Sequence, residues 1–193
     1  MVKTQRCAWC GVDPLYVEYH DNEWGIPEKN ETALFARIVL EGMQAGLSWI
    51  TVLRKRAHMR ACFFDFDPVL LARDGPDRMS AWLEDAGLIR HRGKLQAMVS
   101  NARIFLEFDG FASYLWSFVG GAPKQNRWLS VGEVPGHTDE SVAMSNGLKK
   151  LGFRFVGPTT CYAFMQSAGL VNDHLVECPS YSKCRKLGAD WIV

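Results

Sequence analysis

No apolar run in these 193 residues reaches the length of a membrane span, and the opening "MVKTQRCAWC" has no apolar core of the signal-peptide kind. A cytoplasmic protein without a membrane partner is therefore expected. Net charge is nearly absent as well. Lys and Arg number 22 against 21 Asp and Glu, leaving +1, so bulk electrostatics announce no nucleic-acid partner and local clusters must carry any such reading. Internal repeats and low-complexity stretches are missing, and alternating runs of strand length are scarce. What remains is an ordinary globular composition, 48% hydrophobic and 22% charged, in a chain long enough for one well-buried core and short for two.

Helical periodicity is the pattern that recurs. Asn30 is placed to cap a helix whose apolar stripe is Leu34, Phe35, Ile38 and Val39. Leu95, Met98, Ala102 and Phe105 form a second stripe. Thr138 or Asp139 caps a third helix that Gly152 stops, and a fourth opens at Pro158 and ends near Gly169. The Gly/Pro-rich stretch 119–137 reads as a long loop. A single, all-α domain over residues 1–193 is expected, with a mobile tail from 179 to 193.

Six cysteines, at 7, 10, 62, 161, 178 and 184, suit thiols or metal ligands better than disulfides in a cytoplasmic chain. His174 and Cys178 stand four apart in "GLVNDHLVEC", one helical turn, and so point the same way. Alone, this spacing is weak evidence for a ligand pair.

The third and fourth helices are joined by "GFRFVG", residues 152–157. Glycines at both ends permit a sharp turn and close approach of a partner, and the helix opening at Pro158 presents free amides to an anion. Lys149, Lys150 and Arg154 surround it, which makes a candidate phosphate grip that reads no base sequence. The same residues also suit a plain turn between two packed helices. "RKRAHMR" (54–60) and "RHRGK" (90–94) are weaker candidates, since basic runs are usually solvated surface.

The N-terminal half is rich in aromatics. Glu41 falls at the edge of the first apolar stripe, where a carboxylate needs hydrogen-bond donors from protein or ligand. Tyr16, Tyr19, Trp24 and Trp49 offer flat faces on which a purine can stack. Singly, such residues mostly build core.

Read together, "DPLYVEYHDNEWGIP", "EGMQAGLSWITVLRKR", "DAGLIRHRGKLQAMVSNAR", "GFRFVGPTTCYAFMQSAGLVNDH" and the closing His-x-x-x-Cys resemble the 3-methyladenine DNA glycosylase I family, from about Cys7 to Cys178. The resemblance implies a helix-hairpin-helix glycosylase fold, with that element over about 139–169 and Gly152, Arg154, Gly157, Thr159, Lys149 and Lys150 at the DNA backbone. It implies one structural zinc tying the termini together through Cys7, His20, His174 and Cys178. Four protein ligands would close the metal's coordination. Cys10 or Cys184 could replace either thiol.

It further implies hydrolysis of the N-glycosidic bond of 3-methyladenine in double-stranded DNA, with the free base as product. Glu41 matches the base-recognition acid, and Tyr19 and Trp49 match its pocket, with Tyr16 and Trp24 as further wall candidates. Many helix-hairpin-helix glycosylases carry an aspartate shortly after the hairpin; here that position falls on Asn172, with Asp173 beside it as the other sugar-side candidate. A monomer without lyase activity is expected. Two other classes fit less well: a zinc-stabilised DNA-binding module without catalysis, and a zinc hydrolase of another substrate, which would need an open metal position.

Overall fold

The computed structural model describes residues 6–189 and 191. Among them run nine α-helices: α1 Pro14–Asn22, α2 Glu31–Gln44, α3 Trp49–Cys62, α4 Pro68–Glu84, α5 Arg92–Leu106, α6 Phe111–Ser117, α7 Asp139–Lys150, α8 Pro158–Ser167 and α9 Pro179–Ala189. Local chemistry explains the starts. Asp13 and Asp67 accept from backbone amides ahead of a proline at the first helical position, and the Asn30 side chain accepts from Ala33 N at 2.9 Å. Thr138, rather than Asp139, is the cap of α7, in a reciprocal capping box with Ser141.

The axis of the core is α2. Leu34, Phe35, Ile38, Val39 and Met43 are all buried, and α3, α5, α6 and α8 pack around them. Burying each such side chain contributes about 1.5–3 kcal/mol before entropy is charged against it. α4 packs on α5, and α7 packs on α8, the second pair joined by the 151–157 turn. Phe153 in that turn stacks on Phe111 with ring centroids 5.6 Å apart, so the turn is seated on the core.

Two departures from the expected fold matter for function. The 119–137 stretch is not only loop: Lys124–Gln125 pairs in parallel with Val171–Asn172, a two-residue ladder that fastens it beside the C-terminal segment. The tail also carries structure. Residues 179–189 form α9 with Tyr181 and Cys184 buried, and the Trp191 ring lies 4.6 Å from that of Trp116. Positions 1–5, 190, 192 and 193 lie outside the described residues.

Two basic runs are largely structural. Lys94 is buried and donates to Met43 O at 2.8 Å and Ala45 O at 2.6 Å, satisfying carbonyls at the end of α2; burial lowers its pKa. In the 54–60 run, Arg54, Arg56 and Arg60 pair with Asp13, Glu23 and Asp65, and Lys55 caps the carbonyls of Ala86 and Gly87. Their charges are spent within the protein. Among the described residues of these runs, Arg90 and Arg92 are exposed and form no ion pair.

Candidate active site and metal centre

A cavity of about 200 Å3 opens between α1, the ends of α2 and α3, and α8. Its walls include Tyr16, Tyr19, Trp24, Glu41 and Trp49, the acid and all four aromatics singled out from sequence. Tyr19 is buried, and its ring centroid lies 5.2 Å from that of Trp49. Trp24 meets Trp9 edge-on at 4.9 Å, and Trp9 lies 5.2 Å from Tyr16. Trp9 is thus a fifth aromatic wall that sequence reasoning overlooked; its signal was its place two residues after a candidate ligand.

Glu41 is 4% exposed. Burial pushes its carboxyl up to about 8, against the opposing influence of a hydrogen bond with Ser167 and the nearby Arg37 guanidinium. Arg37 itself donates to the Ser167 carbonyl. The acid therefore faces an aromatic cavity with much of its acceptor capacity unmet. Beside it, Trp49 Nε1 is buried without a hydrogen-bond partner among the described residues.

Asp173 forms part of the same wall and is 2% exposed. Its Oδ1 accepts from Asn126 Nδ2 at 2.6 Å and Trp128 Nε1 at 2.8 Å. Its Oδ2 accepts from Tyr162 Oη at 2.5 Å and Gln166 Nε2 at 2.8 Å. Two of these donors come from the loop that carried no functional signal in the sequence. Asn172 is excluded as a group acting at the cavity. It is buried on the other side of the strand, where Nδ2 donates to Gln125 Oε1 at 2.8 Å and Tyr181 O at 3.1 Å. Successive strand residues point oppositely, so one neighbour reaches the cavity and the other does not.

Next to the cavity, and sharing Cys7 as a wall, lies a buried group of two thiols and two imidazoles. One ligand atom from each of Cys7, His20, His174 and Cys178 lies within 4.8 Å of all the others. The Sγ to ring-nitrogen separations are 3.6 Å for Cys7–His174, 3.6 Å for Cys178–His20 and 3.7 Å for Cys178–His174. A tetrahedral ion with ordinary Zn–S and Zn–N bonds holds such atoms about 3.6 Å apart. The outer nitrogens are also accounted for. His174 Nε2 donates to Trp24 O at 3.1 Å, since a carbonyl can only accept, leaving Nδ1 as a lone pair facing the sulfurs. His20 Nδ1 meets Asp21 Oδ1 at 2.8 Å, with Nε2 turned inward. Asp21 is held below the usual carboxylate range first by Arg6 and also by His20. Cys7, His174 and His20 together draw the Cys178 thiol down towards thiolate. The residues fit a closed, four-ligand metal centre. Cys10 and Cys184 stand outside it; Cys10 Sγ turns to Cys7 O at 3.1 Å.

The 152–157 turn lies at the protein surface. Gly152 has φ +100°, a conformation that favours glycine. Asn101 on α5 clamps the turn by donating to Arg154 O at 3.0 Å and accepting from Arg154 N at 2.9 Å. That leaves the Arg154 side chain exposed, with Lys149, Lys150 and Thr159 also exposed nearby in the chain. Gly157 caps α8 with φ −65°, and a Cβ there would meet nothing within 4 Å. The fold does not require that glycine. No side chain caps the α8 amides, so they remain available to an anion.

Comparison with known proteins agrees with this geometry. The family model described as methyladenine glycosylase matches residues 9–181. DNA-3-methyladenine glycosylase 1 of Escherichia coli (strain K12) is 51% identical over 181 residues, spanning 92% of this chain and 97% of that protein. A crystal structure of 3-methyladenine DNA glycosylase I superposes with a TM-score of 0.89 at 51% identity, over 91% of this chain and 98% of that one. The Staphylococcus aureus 3-methyladenine DNA glycosylase I, solved to explain 3-methyladenine recognition, gives a TM-score of 0.87 at 36% identity, over 91% and 95% of the two chains.

Proposed function

We propose that this chain, which belongs to the methyladenine glycosylase family, is a DNA-3-methyladenine glycosylase that removes the alkylated base from DNA and leaves an abasic site. The observation that carries the reading is Glu41, a buried acid with unmet acceptor capacity in a wall of aromatic rings. Such a wall attracts an electron-poor or cationic purine, and the carboxylate can accept from its exocyclic amine.

The reaction needs little covalent help from the protein. N3-methylation makes the base cationic while it is attached to the sugar, so the glycosidic bond breaks with both electrons going to a base that leaves neutral. Water then forms the new bond to the sugar carbon and gives its proton to solvent. The obstacle is access, because the base must leave the stack and enter the cavity. Holding a cation tightly in the ground state opposes its departure, so Glu41 serves recognition rather than proton transfer. Asp173, with four donors already bound to it, supports the positive sugar only through space.

The helices α7 and α8 with their turn act as a helix-hairpin-helix, gripping the duplex backbone through the α8 amides, Gly152, Arg154, Gly157, Thr159, Lys149 and Lys150. Among the described residues the cavity walls include no lysine, which supports a monofunctional hydrolase without lyase activity. We assign the four-ligand centre to one structural zinc, held by Cys7, His20, His174 and Cys178, which clasps the two ends of the chain. A monomer acting in the cytoplasm completes the proposal.

The test is incubation with alkylated duplex DNA, followed by chromatography of released bases and a check for strand breaks. Free 3-methyladenine with alkali-labile but uncut abasic sites is expected. DNA binding without base release would instead favour a zinc-stabilised binding module.

A further inference from the structure

A second cluster lies on α3, nine positions and about two and a half turns from Trp49, and so on the opposite side of that helix from the cavity. His58 and Cys62 stand one turn apart, and Asp85 ends α4 against them. His58 Nε2 lies 2.7 Å from Asp85 Oδ2, Cys62 Sγ lies 3.5 Å from the same nitrogen, and Sγ to Oδ2 is 3.7 Å. The group is open to solvent, with the His58 side chain 48% and that of Asp85 31% exposed.

Each member is held by a second contact. Asp85 Oδ1 accepts from Gly87 N at 2.7 Å, which aims the other oxygen at the cluster. Trp82 Nε1 donates to Cys62 O at 3.2 Å. Gly87 lies directly under the imidazole, where a Cβ would come within 2.5 Å of the ring. Lys55 pins the same turn through the carbonyls of Ala86 and Gly87. A borderline divalent ion binds such N, S and O donors, and tetrahedral coordination needs separations of about 3.3–3.6 Å between them. Two edges already fit, and the third, at 2.7 Å, opens by about 0.6 Å or more when the ion takes the place of the shared proton.

A nucleophilic thiol is the competing chemistry, and the geometry disfavours it. One nitrogen, Nε2, faces both Cys62 and Asp85, so no acid orients the ring from behind. Burial and the Asp85 carboxylate also raise the Cys62 thiol.

We propose that His58, Cys62 and Asp85 form a second metal site that takes one borderline divalent transition ion of the zinc, cobalt or nickel class, with solvent completing its coordination. Binding converts the thiol to thiolate and releases that proton to water, moves the proton between His58 and Asp85 to His58 Nδ1, and clamps the end of α3 to the α4–α5 connection. The site is separate from the closed centre and touches no wall of the cavity.

Cobalt(II) is the probe. Untagged, full-length protein loaded with zinc is dialysed against cobalt, and bound metal and near-ultraviolet absorption are measured. One cobalt per chain beyond the zinc is expected, with a sulfur-to-cobalt charge-transfer band. Cys62→Ser should abolish the band, and His58→Ala should lose the extra equivalent, both with unchanged base-release activity. Gly87→Ala alters no ligand but displaces the His58 ring, and should weaken cobalt binding about tenfold or more. Absence of an extra cobalt, or a band that survives Cys62→Ser, overturns the proposal.

Discussion

Glu41 and Asp173 are both buried carboxyl side chains, 4% and 2% exposed, in the wall of one cavity. They differ in how well the protein satisfies them. Asp173 accepts four hydrogen bonds, from Asn126, Trp128, Tyr162 and Gln166, and has little left to offer a ligand. Glu41 has the Ser167 bond and a nearby Arg37, and burial still lifts it to about 8. A polar group that the fold leaves hungry in a cavity is a binding group, whereas one that the fold saturates is a fastening. Asp173 joins the 119–137 loop to α8, and Glu41 awaits an occupant.

The contrast collapses most completely if the proposed zinc clasp beside both acids is opened. His174→Ala removes a ligand of the four-residue centre and leaves two thiols and one imidazole. Stability should fall on the order of 5 kcal/mol, with loss of bound zinc by elemental analysis and an early thermal transition. A stable variant that keeps its zinc would remove His174 from the ligand set.

Asp173→Ala tests the fastening directly. One buried donor, Tyr162, and three half-buried ones, Asn126, Trp128 and Gln166, lose their acceptor, at a cost of about 3 kcal/mol. Amide exchange at Asn126 and Trp128 should accelerate before the rest of the core. If stability stays and only base release drops, Asp173 is catalytic, and the difference between the two acids is one of reaction role rather than satisfaction.

Much of this is visible in the chain and some of it is not. Asn30, Thr138 and Pro158 announce helix starts because capping is local chemistry, decided within three or four residues. The wall around Glu41 is legible because its aromatics fall in motifs that resemble a known family. Asn126 and Trp128 are invisible as partners of Asp173, since they lie 47 and 45 residues away and nothing in a loop's composition encodes whom it meets. Lys94 misleads for the same reason: in "RHRGK" it reads as surface charge, yet it is buried against the end of α2. Long-range satisfaction of polar groups is a tertiary property and leaves no period in the sequence.

Glu41→Gln sharpens the other half of the comparison. Measured above pH 8, where the carboxyl is ionised, affinity for free 3-methyladenine should fall about tenfold, the worth of a hydrogen bond to a charged acceptor, with little change in affinity for undamaged duplex. Stability should move the opposite way. The carboxyl's folded pKa of about 8 lies above the unfolded value of 4.5, so its favourable contribution is complete below about 4.5 and is lost as pH rises through 8. Glutamine removes that dependence. Melts at successive pH values should therefore show the variant gaining on the unaltered protein between pH 5 and 9. Equal loss of both binding activities, with no such gain, would make Glu41 structural.

The smallest effect is expected at Gly157, and it separates what the fold needs from what a partner needs. With φ −65° and nothing within 4 Å of the place a methyl would occupy, Gly157→Ala costs the folded protein no clash and restricts the unfolded chain. Thermal stability should hold or rise by about 0.5 kcal/mol. The added methyl nonetheless sits at the N-terminus of α8, where the proposed grip brings a DNA phosphate, so duplex affinity should drop a few-fold. Lys149→Ala supplies the companion measurement: removing one phosphate contact should lower the salt dependence of duplex binding by about one counterion. Loss of affinity in Gly157→Ala with the salt slope intact, and loss of slope in Lys149→Ala with the fold intact, would place the backbone grip at this turn. If duplex affinity is unchanged in both, the turn only packs two helices, and the DNA must be held elsewhere.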